Sequence, residues 1–240
     1  GVAGGPGAML ERSIPPADSK ASLEFLSVRW SAAAEFATHA VAANAGWHHL
    51  VIAAGLSSSG DDQLGWNSAA FLLGLDAPPG GVALRVLARQ ERGVSRDRGA
   101  GLELGGGFRS AIAPRVMLWA SAPSSLRAGA PPPLDRALEL GIRWQGRQIA
   151  MWGAWSAPAH DINAGERSIG VGCEVDRLET WMEARENPLR GSIGVRASRG
   201  ALELAAEIGE HPVLGESVRV ALRVHGSAHE HGTSRASRTW

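Results

Sequence analysis

Apolar and charged or small side chains take turns along this chain, residue by residue, in segment after segment. Leu138, Leu140, Ile142 and Trp144 alternate with Glu139, Gly141 and Arg143, and Val218, Val220, Leu222 and Val224 with Arg219, Ala221 and Arg223. Leu202, Leu204, Ala206 and Ile208 alternate with Glu203, Ala205 and Glu207. Val82, Leu84, Val86 and Ala88 do so with Ala83, Arg85, Leu87 and Arg89. A period of two puts each set on its own face of an extended strand, whereas a helix would scatter both sets around its axis. Ser31 to Ala45 is alanine-rich and ambiguous, and no window shows a clean helical stripe. The 31 glycines and 13 prolines suit a chain with many turns.

Fourteen such segments are expected between residues 22 and 225. Most are about 8–11 residues long, the length a tilted strand needs to cross a bilayer core. The connections between them alternate in length. Asn44-Ala45-Gly46, Ala77 to Gly80, Gln145-Gly146, Asp176 and Arg199-Gly200 are short. Ser57 to Gly65, Glu91 to Asp97, Pro123 to Leu134 and Ala157 to Gly165 are long. Short turns on one side and long loops on the other mark outer-membrane barrels. The first connection, Ser31-Ala32, is short where that scheme wants a long one. The expected fold is an all-β, antiparallel, up-and-down transmembrane barrel of about 14 strands over 22–225. An N-terminal periplasmic segment or small plug (1–21) precedes it, and a polar, histidine-containing tail (226–240) follows. A soluble sandwich or β-helix is the alternative, since those alternate as well.

In a barrel, one parity meets lipid and the other lines the lumen. The lipid-facing set is read as Leu138, Leu140, Ile142, Leu202, Leu204, Val218, Val220 and Leu222. The lumen set is read as Arg85, Arg89, Glu103, Glu139, Arg143, Glu174, Glu179, Glu183, Arg196, Glu203, Glu207, Arg219 and Arg223. Charges at low dielectric persist when paired or wet, so a mixed set of both signs points to an ion-pair network in a filled or narrow interior. Barrels carry aromatic girdles. With no tyrosine and four phenylalanines, the nine tryptophans must supply them. Trp30, Trp47, Trp66, Trp144 and Trp155 fall near strand ends, whereas Trp119, Trp152 and Trp181 lie nearer strand middles.

Composition narrows the function. The 24 basic residues, of which only Lys20 is a lysine, balance 24 acidic ones, so no global field draws in nucleic acid. Cys173 stands alone and permits neither an internal disulfide nor a cysteine metal cluster. No apolar run is long enough for a transmembrane helix, and Gly1 to Met9 has no secretory-signal pattern. Gly99 to Gly107 lacks the Lys-Ser/Thr of a phosphate loop, and no Gly-x-Ser-x-Gly elbow occurs. Asp61-Asp62 lacks calcium-loop spacing. His48-His49, at the expected start of a strand, would point to opposite faces. His225, His229, Glu230 and His231 sit among polar residues and read as a tail more than as a metal site. No catalytic set, cofactor or metal is expected.

Asn187-Pro188-Leu189, the strand Gly191 to Ser198, the turn Arg199-Gly200, the strand Ala201 to Ile208, and His211-Pro212-Val213-Leu214-Gly215 before a last alternating strand resemble the closing hairpins of FadL-superfamily barrels. The PorV-type branch is the nearest in pattern. The resemblance covers about residues 187–225 and is topological elsewhere; the family's Asn-Pro-Ala-Gly segment is absent. It implies fourteen strands, and either uptake of hydrophobic molecules or, in the PorV-type branch, a barrel partner of larger envelope assemblies. The expected role is a non-enzymatic anchor or scaffold of a multi-protein complex in the outer membrane of a Gram-negative bacterium, in contact with the bilayer and other envelope proteins. The loop around Pro131, Pro132 and Pro133 would dock the partner. A FadL-like transporter or pore, and a soluble β-rich binding protein, are the alternatives.

Overall fold

The computed structural model describes residues 21–31, 35–61, 64–93, 100–129, 137–158, 164–186, 189–211 and 215–226. Residues 1–20, the tail from 227 onward, and Pro131, Pro132 and Pro133 lie outside them.

Fourteen strands follow one another: β1 (Ser22–Trp30), β2 (Ala37–Trp47), β3 (Leu50–Gly60), β4 (Leu64–Ala77), β5 (Gly80–Gly93), β6 (Ala100–Ala113), β7 (Val116–Gly129), β8 (Ala137–Gln145), β9 (Ile149–Pro158), β10 (Glu166–Val175), β11 (Leu178–Arg185), β12 (Arg190–Arg199), β13 (Leu202–His211) and β14 (Gly215–His225). Each runs antiparallel to its neighbours, and β14 pairs with β1, so the sheet closes into an up-and-down barrel. Each strand packs along its length only on its two neighbours in the ring. A sandwich would instead bury its apolar parity under a second sheet.

The connections sort by length as the sequence predicts. At the end that holds Ser22 and His225, the turns are His48-His49, Pro78-Pro79, Pro114-Arg115, Gly146 to Gln148, Asp176-Arg177 and Gly200-Ala201. His48, Arg115, Asp176 and Gly200 take positive φ in them, the conformation that reverses a chain in two residues. The connections at the opposite end number three to seven residues.

Several boundaries differ from expectation. Asn44 to Gly46 is not a turn; the turn comes two residues later, at His48-His49. Asn44 instead faces inward and accepts a hydrogen bond from Ser22 on β1, so the cross-strand pairing overrides the local turn signal. With β2 starting at Ala37, the first connection spans 31–36, and the short-loop anomaly disappears. β3 and β4 run into the expected Ser57 to Gly65 loop. β7 continues through Pro123 to Gly129, and among the described residues its pairing with β8 runs from Val116 to Ser121. A proline, lacking an N–H, is tolerated past the end of such a ladder.

Alternate residues point out of and into the ring. Leu140, Ile142, Leu202, Leu204, Val218, Val220 and Leu222 are exposed on the outside, and Leu138, of the same parity, is half-buried. Among the described outward strand positions, charge appears only near strand ends, at Arg29, Arg167, Arg199, Glu210 and Glu216. Between those ends, three outward positions on β1 and four or more on most other strands make a band about 15–20 Å tall at ordinary rise and tilt. Trp47 and Trp144 flank it at the turn end, and Trp155 on the same parity lies toward the loop end.

The seam can be tested by chemistry. Leu23 faces Val224 across β1 and β14. Opposed Cα atoms in antiparallel strands stand about 4.5–5.5 Å apart, within disulfide reach. A Leu23→Cys/Val224→Cys chain with Cys173→Ser is expected to oxidise to a cross-linked monomer with altered gel mobility. The pair Leu23→Cys/Arg223→Cys, whose side chains point to opposite faces, is expected to stay reduced.

Candidate functional site in the barrel lumen

Charged residues that alternate with the apolar band face the interior, and the strand register decides which of them meet. Near the turn end a chain of ion pairs crosses the seam. Arg223 on β14 donates to Glu24 on β1 at 2.7 Å and approaches Glu203 on β13 at 2.9 Å. Arg196 on β12 stands 3.4 Å from Glu203 and 2.8 Å from Glu179 on β11. His225 Nε2 lies 3.7 Å from Glu203. Glu24, Arg223 and Glu203 stand directly opposite one another in the ladder, where unlike charges stabilise pairing.

A second cluster sits near the loop end. Glu166 on β10 pairs with Arg190 on β12 and lies 3.8 Å from Arg185 on β11. Arg185 donates to Glu183 at 2.7 Å. A third pair spans β4 to β6, where Arg109 passes over Gly81 to reach Asp76 at 2.6 Å. A side chain at Gly81 would meet the Asp76 carboxylate at 2.8 Å, so the pair needs glycine beneath it.

Between these clusters three tryptophans are packed into the wall. Trp119 lies over Gly141, Trp152 over Gly170 and Trp181 over Gly194, each indole on the glycine of the next strand. A Cβ on any of these glycines would fall 2.0–2.2 Å from the ring. Trp119 donates its indole N–H to Glu139, and Trp152 to Glu183, each at 2.9 Å. The guanidiniums of Arg143 and Arg196 stand over Trp152 and Trp181 at 5.9 and 5.7 Å from the ring centroids. The three indoles therefore pack inside, not in a lipid girdle. Trp30 and Trp66 also share the inward parity and join Phe36 in an aromatic cluster at the loop end.

The remaining expected lumen residues are placed as follows. Arg85, Arg89 and Glu103 are buried on adjacent strands β5 and β6, and Arg89 donates to Ser68 at 3.2 Å. Arg143 donates twice to Gln145. Glu207 faces Arg219 in register. Glu174 opposes Glu179 but is exposed at the turn end. Among the described residues, the ion pairs named above gather near the turn end, near the loop end and across β4 to β6. Glu24, Asp76, Arg109, Glu166, Arg185 and Arg190 join them without having been expected. Their parity was readable, since Glu24 alternates with Leu23 and Phe25. His48 and His49 occupy a turn, not a strand, and Asp61 accepts the Leu64 N–H at 2.7 Å.

Inward positions of β2 and β3 carry no charge, and Ala42, Ala53, Leu72 and Ala83 pack into an apolar cluster across β2 to β5. Described inward charge is carried by β4 to β6, β8, β10 to β14 and β1.

An even-stranded, closed antiparallel ring with a greasy outside and a charged inside has the architecture of outer-membrane barrels. A solved structure agrees in fold. The outer-membrane protein Omp33 of Acinetobacter baumannii superimposes with a TM-score of 0.53 at 8% identity, covering 87% of this chain and 99% of that one. Two engineered variants of the Rh. blastica porin align over 86% of this chain and 99% of theirs. Their TM-scores are 0.49 and 0.48, at 5% and 6% identity. No protein-family model and no curated protein matches the sequence.

Two substitutions probe the wall. Gly170→Ala is expected to displace Trp152 and destabilise the barrel by about 1–3 kcal/mol. Gly191→Ala, whose added Cβ would meet its nearest neighbour at 3.6 Å, is expected to be near neutral. Thermal or urea midpoints and tryptophan fluorescence separate the two. Glu203→Ala removes one of the two carboxylates that each of Arg196 and Arg223 meets and is expected to destabilise by about 1–2 kcal/mol. A fall below about 0.5 kcal/mol would show these pairs to be solvated.

Proposed function

We propose that the protein is a non-enzymatic β-barrel of the Gram-negative outer membrane that anchors or scaffolds a multi-protein envelope complex. The observation that carries the membrane placement is the outward band, in which at least three and in most strands four successive described positions run uninterrupted by charge. An aqueous surface has no reason to exclude charge from such a belt. A bilayer penalises charge there by about 2–4 kcal/mol per arginine at the midplane. On this reading Leu138, Leu140, Ile142, Leu202, Leu204, Val218, Val220 and Leu222 meet hydrocarbon, Trp47 and Trp144 sit at one interface, and the inward arginines and carboxylates brace the wall from within.

The anchoring role draws on two supports. Inward side chains such as Leu72, Leu87 and Arg85 are shut off from water, at 0, 1 and 2% exposure, which suits a filled barrel better than a wide channel. The resemblance of residues 187–225 to PorV-type barrels of the FadL superfamily points the same way. Residues 130–136, with Pro131, Pro132 and Pro133, are the proposed partner loop, because proline stiffening lowers the entropy lost on docking. A gated pore or FadL-like transporter is the second reading, favoured by the uncharged inward face of β2 and β3 beside charged inward positions on neighbouring strands.

The chain is expected to fractionate with outer membranes and to run on gels at different mobilities before and after boiling. Val220→Arg is expected to reduce insertion, and recovery in the aqueous fraction without detergent would contradict the placement. Deleting 131–133, which lie beyond the end of β7, is expected to abolish recovery of envelope partners while leaving the heat-dependent mobility shift intact. An unchanged pull-down would remove the scaffold role.

A further inference from the structure

Charge is sorted between the two ends of the barrel. Four successive hairpins, from β6 to β13, each bring an arginine to the turn end. Arg115 lies between β6 and β7, Arg147 between β8 and β9, and Arg177 between β10 and β11, while Arg199 closes β12. All four are exposed, and none of their side chains has an ion pair among the described residues. The turns His48-His49 and Pro78-Pro79 hold no arginine. The exposed carboxylates described at this end are Asp176 and Glu174, the latter on the inward parity. At the loop end the described exposed charges lean the other way. Glu35, Glu210 and Glu216 stand against Arg29, and Arg167 pairs with Glu186 at 3.4 Å. An arginine-rich composition alone would not separate the ends in this way.

The backbone ties these turns into one rim. The Gln145 N–H at the foot of β8 donates to the Arg115 carbonyl at 2.8 Å, the Glu174 N–H of β10 to the Gln148 carbonyl at 2.7 Å, and the Ser198 N–H of β12 to the Arg177 carbonyl at 2.9 Å. Each turn is thereby held by the strand that follows its hairpin. Arg115 has a φ of 70°, where glycine or asparagine fits at less cost, so turn propensity does not explain an arginine there. Neighbouring turns of the arc stand two strands apart, about 12–13 Å along the rim at ordinary spacing and tilt. That exceeds the screening length of about 8 Å at physiological salt, so each guanidinium addresses its own anion.

We infer that this arc binds the phosphates of anionic phospholipid headgroups in the leaflet at the turn end. The inference rests on the membrane placement proposed above and is independent of the scaffold role. Two observations favour lipid over an acidic protein. The first is depth. The apolar band runs down to the arc: Trp144 and Ile149 bracket Arg147, Val175 and Leu178 bracket Asp176-Arg177, and Arg199 stands opposite Leu202, all exposed. The guanidiniums therefore lie where hydrocarbon gives way to headgroups. There a guanidinium meets phosphate through paired N–H donors and keeps its charge at any physiological pH. The second is layout. The arginines are strung along nearly half of the perimeter, one per hairpin, and not gathered into the compact patch that a docked protein would cover. A perimeter is what a shell of lipids meets.

The natural Cys173 makes the test local. It is free, exposed and outward on β10, opposite Ile149 and Thr180 and so between the turns of Arg147 and Arg177. A fluorophore on Cys173, in phosphatidylcholine vesicles, is exposed to a trace of nitroxide-labelled phosphatidylglycerol or nitroxide-labelled phosphatidylcholine. The anionic quencher is expected to associate about fivefold more strongly than the neutral one at low salt. The preference is expected to vanish at about 1 M salt, where the screening length falls to about 3 Å. A label at Ala45→Cys in a Cys173→Ser chain, at the matching outward position on the far side of the ring, is expected to show no preference. Combining Arg115→Gln, Arg147→Gln, Arg177→Gln and Arg199→Gln is expected to bring Cys173 down to that level, with folding checked by the heat-dependent mobility shift. Arg147→Gln or Arg177→Gln alone, a milder change that keeps three arginines, is expected to lower the preference about twofold. Equal quenching by the two lipids at Cys173, which an arc reserved for an acidic protein would give, overturns the inference. So does a preference that survives removal of the arginines. Quenching by the neutral lipid at both positions reports the membrane placement separately, and its absence would remove that placement whatever the arc binds.

Discussion

Nine residues of β1 meet β14, and that seam turns a sheet with two edges into a ring with none. Closure matters because a lipid-facing backbone has no water to satisfy it. Every N–H and C=O within the band must find a partner in a neighbouring strand, and only a helix or a closed sheet provides this. Once the ring closes, each residue is assigned to the inside or the outside. A slip of one residue at the seam would turn Arg223 outward and Leu222 and Val224 inward. The Glu24–Arg223–Glu203 contacts oppose that slip with charge, and the apolar parity opposes it with hydrophobicity. Both faces therefore specify the same register.

Inside the wall, size selection works alongside charge. Each of the three lumen tryptophans occupies the space that a neighbouring glycine leaves empty, and two of them donate a buried indole N–H to a carboxylate. The carboxylates Glu139 and Glu183 thus have partners without depending on an arginine alone. The buried charges of this barrel are best understood as members of small local constellations in which aromatic faces, guanidiniums and carboxylates satisfy one another. β2 and β3 present an inward face without charge among the described positions, whereas β4 and β5 add Asp76, Arg85 and Arg89.

Strand number, strand direction and the face of almost every residue were legible in the sequence, because a period of two is a direct consequence of the pleat. The β2–β3 turn was not. Asn44-Ala45-Gly46 has turn chemistry, and nothing local reveals that the partner of Asn44 is Ser22, 22 residues away. The true turn uses His48 at positive φ, for which histidine is an unremarkable signal. At the candidate site, the parity of the charges was readable but their partners were not. Glu24 and Arg223 lie 199 residues apart, and only the closed ring with its stagger brings them together. The inward tryptophans could have been found. Trp181 shares its parity with Glu179 and Glu183, which already marks it as a lumen residue.

The claim beneath all of this is that the outward parity touches hydrocarbon. Nitroxide labels placed one at a time from Val218 to Val224, in protein reconstituted into bilayers, test it most directly. The account expects collisions with oxygen, which concentrates in lipid, to be high at 218, 220, 222 and 224 and low at 219, 221 and 223. A profile without that alternation, or high accessibility of the outward positions to a water-soluble nickel complex, would contradict it.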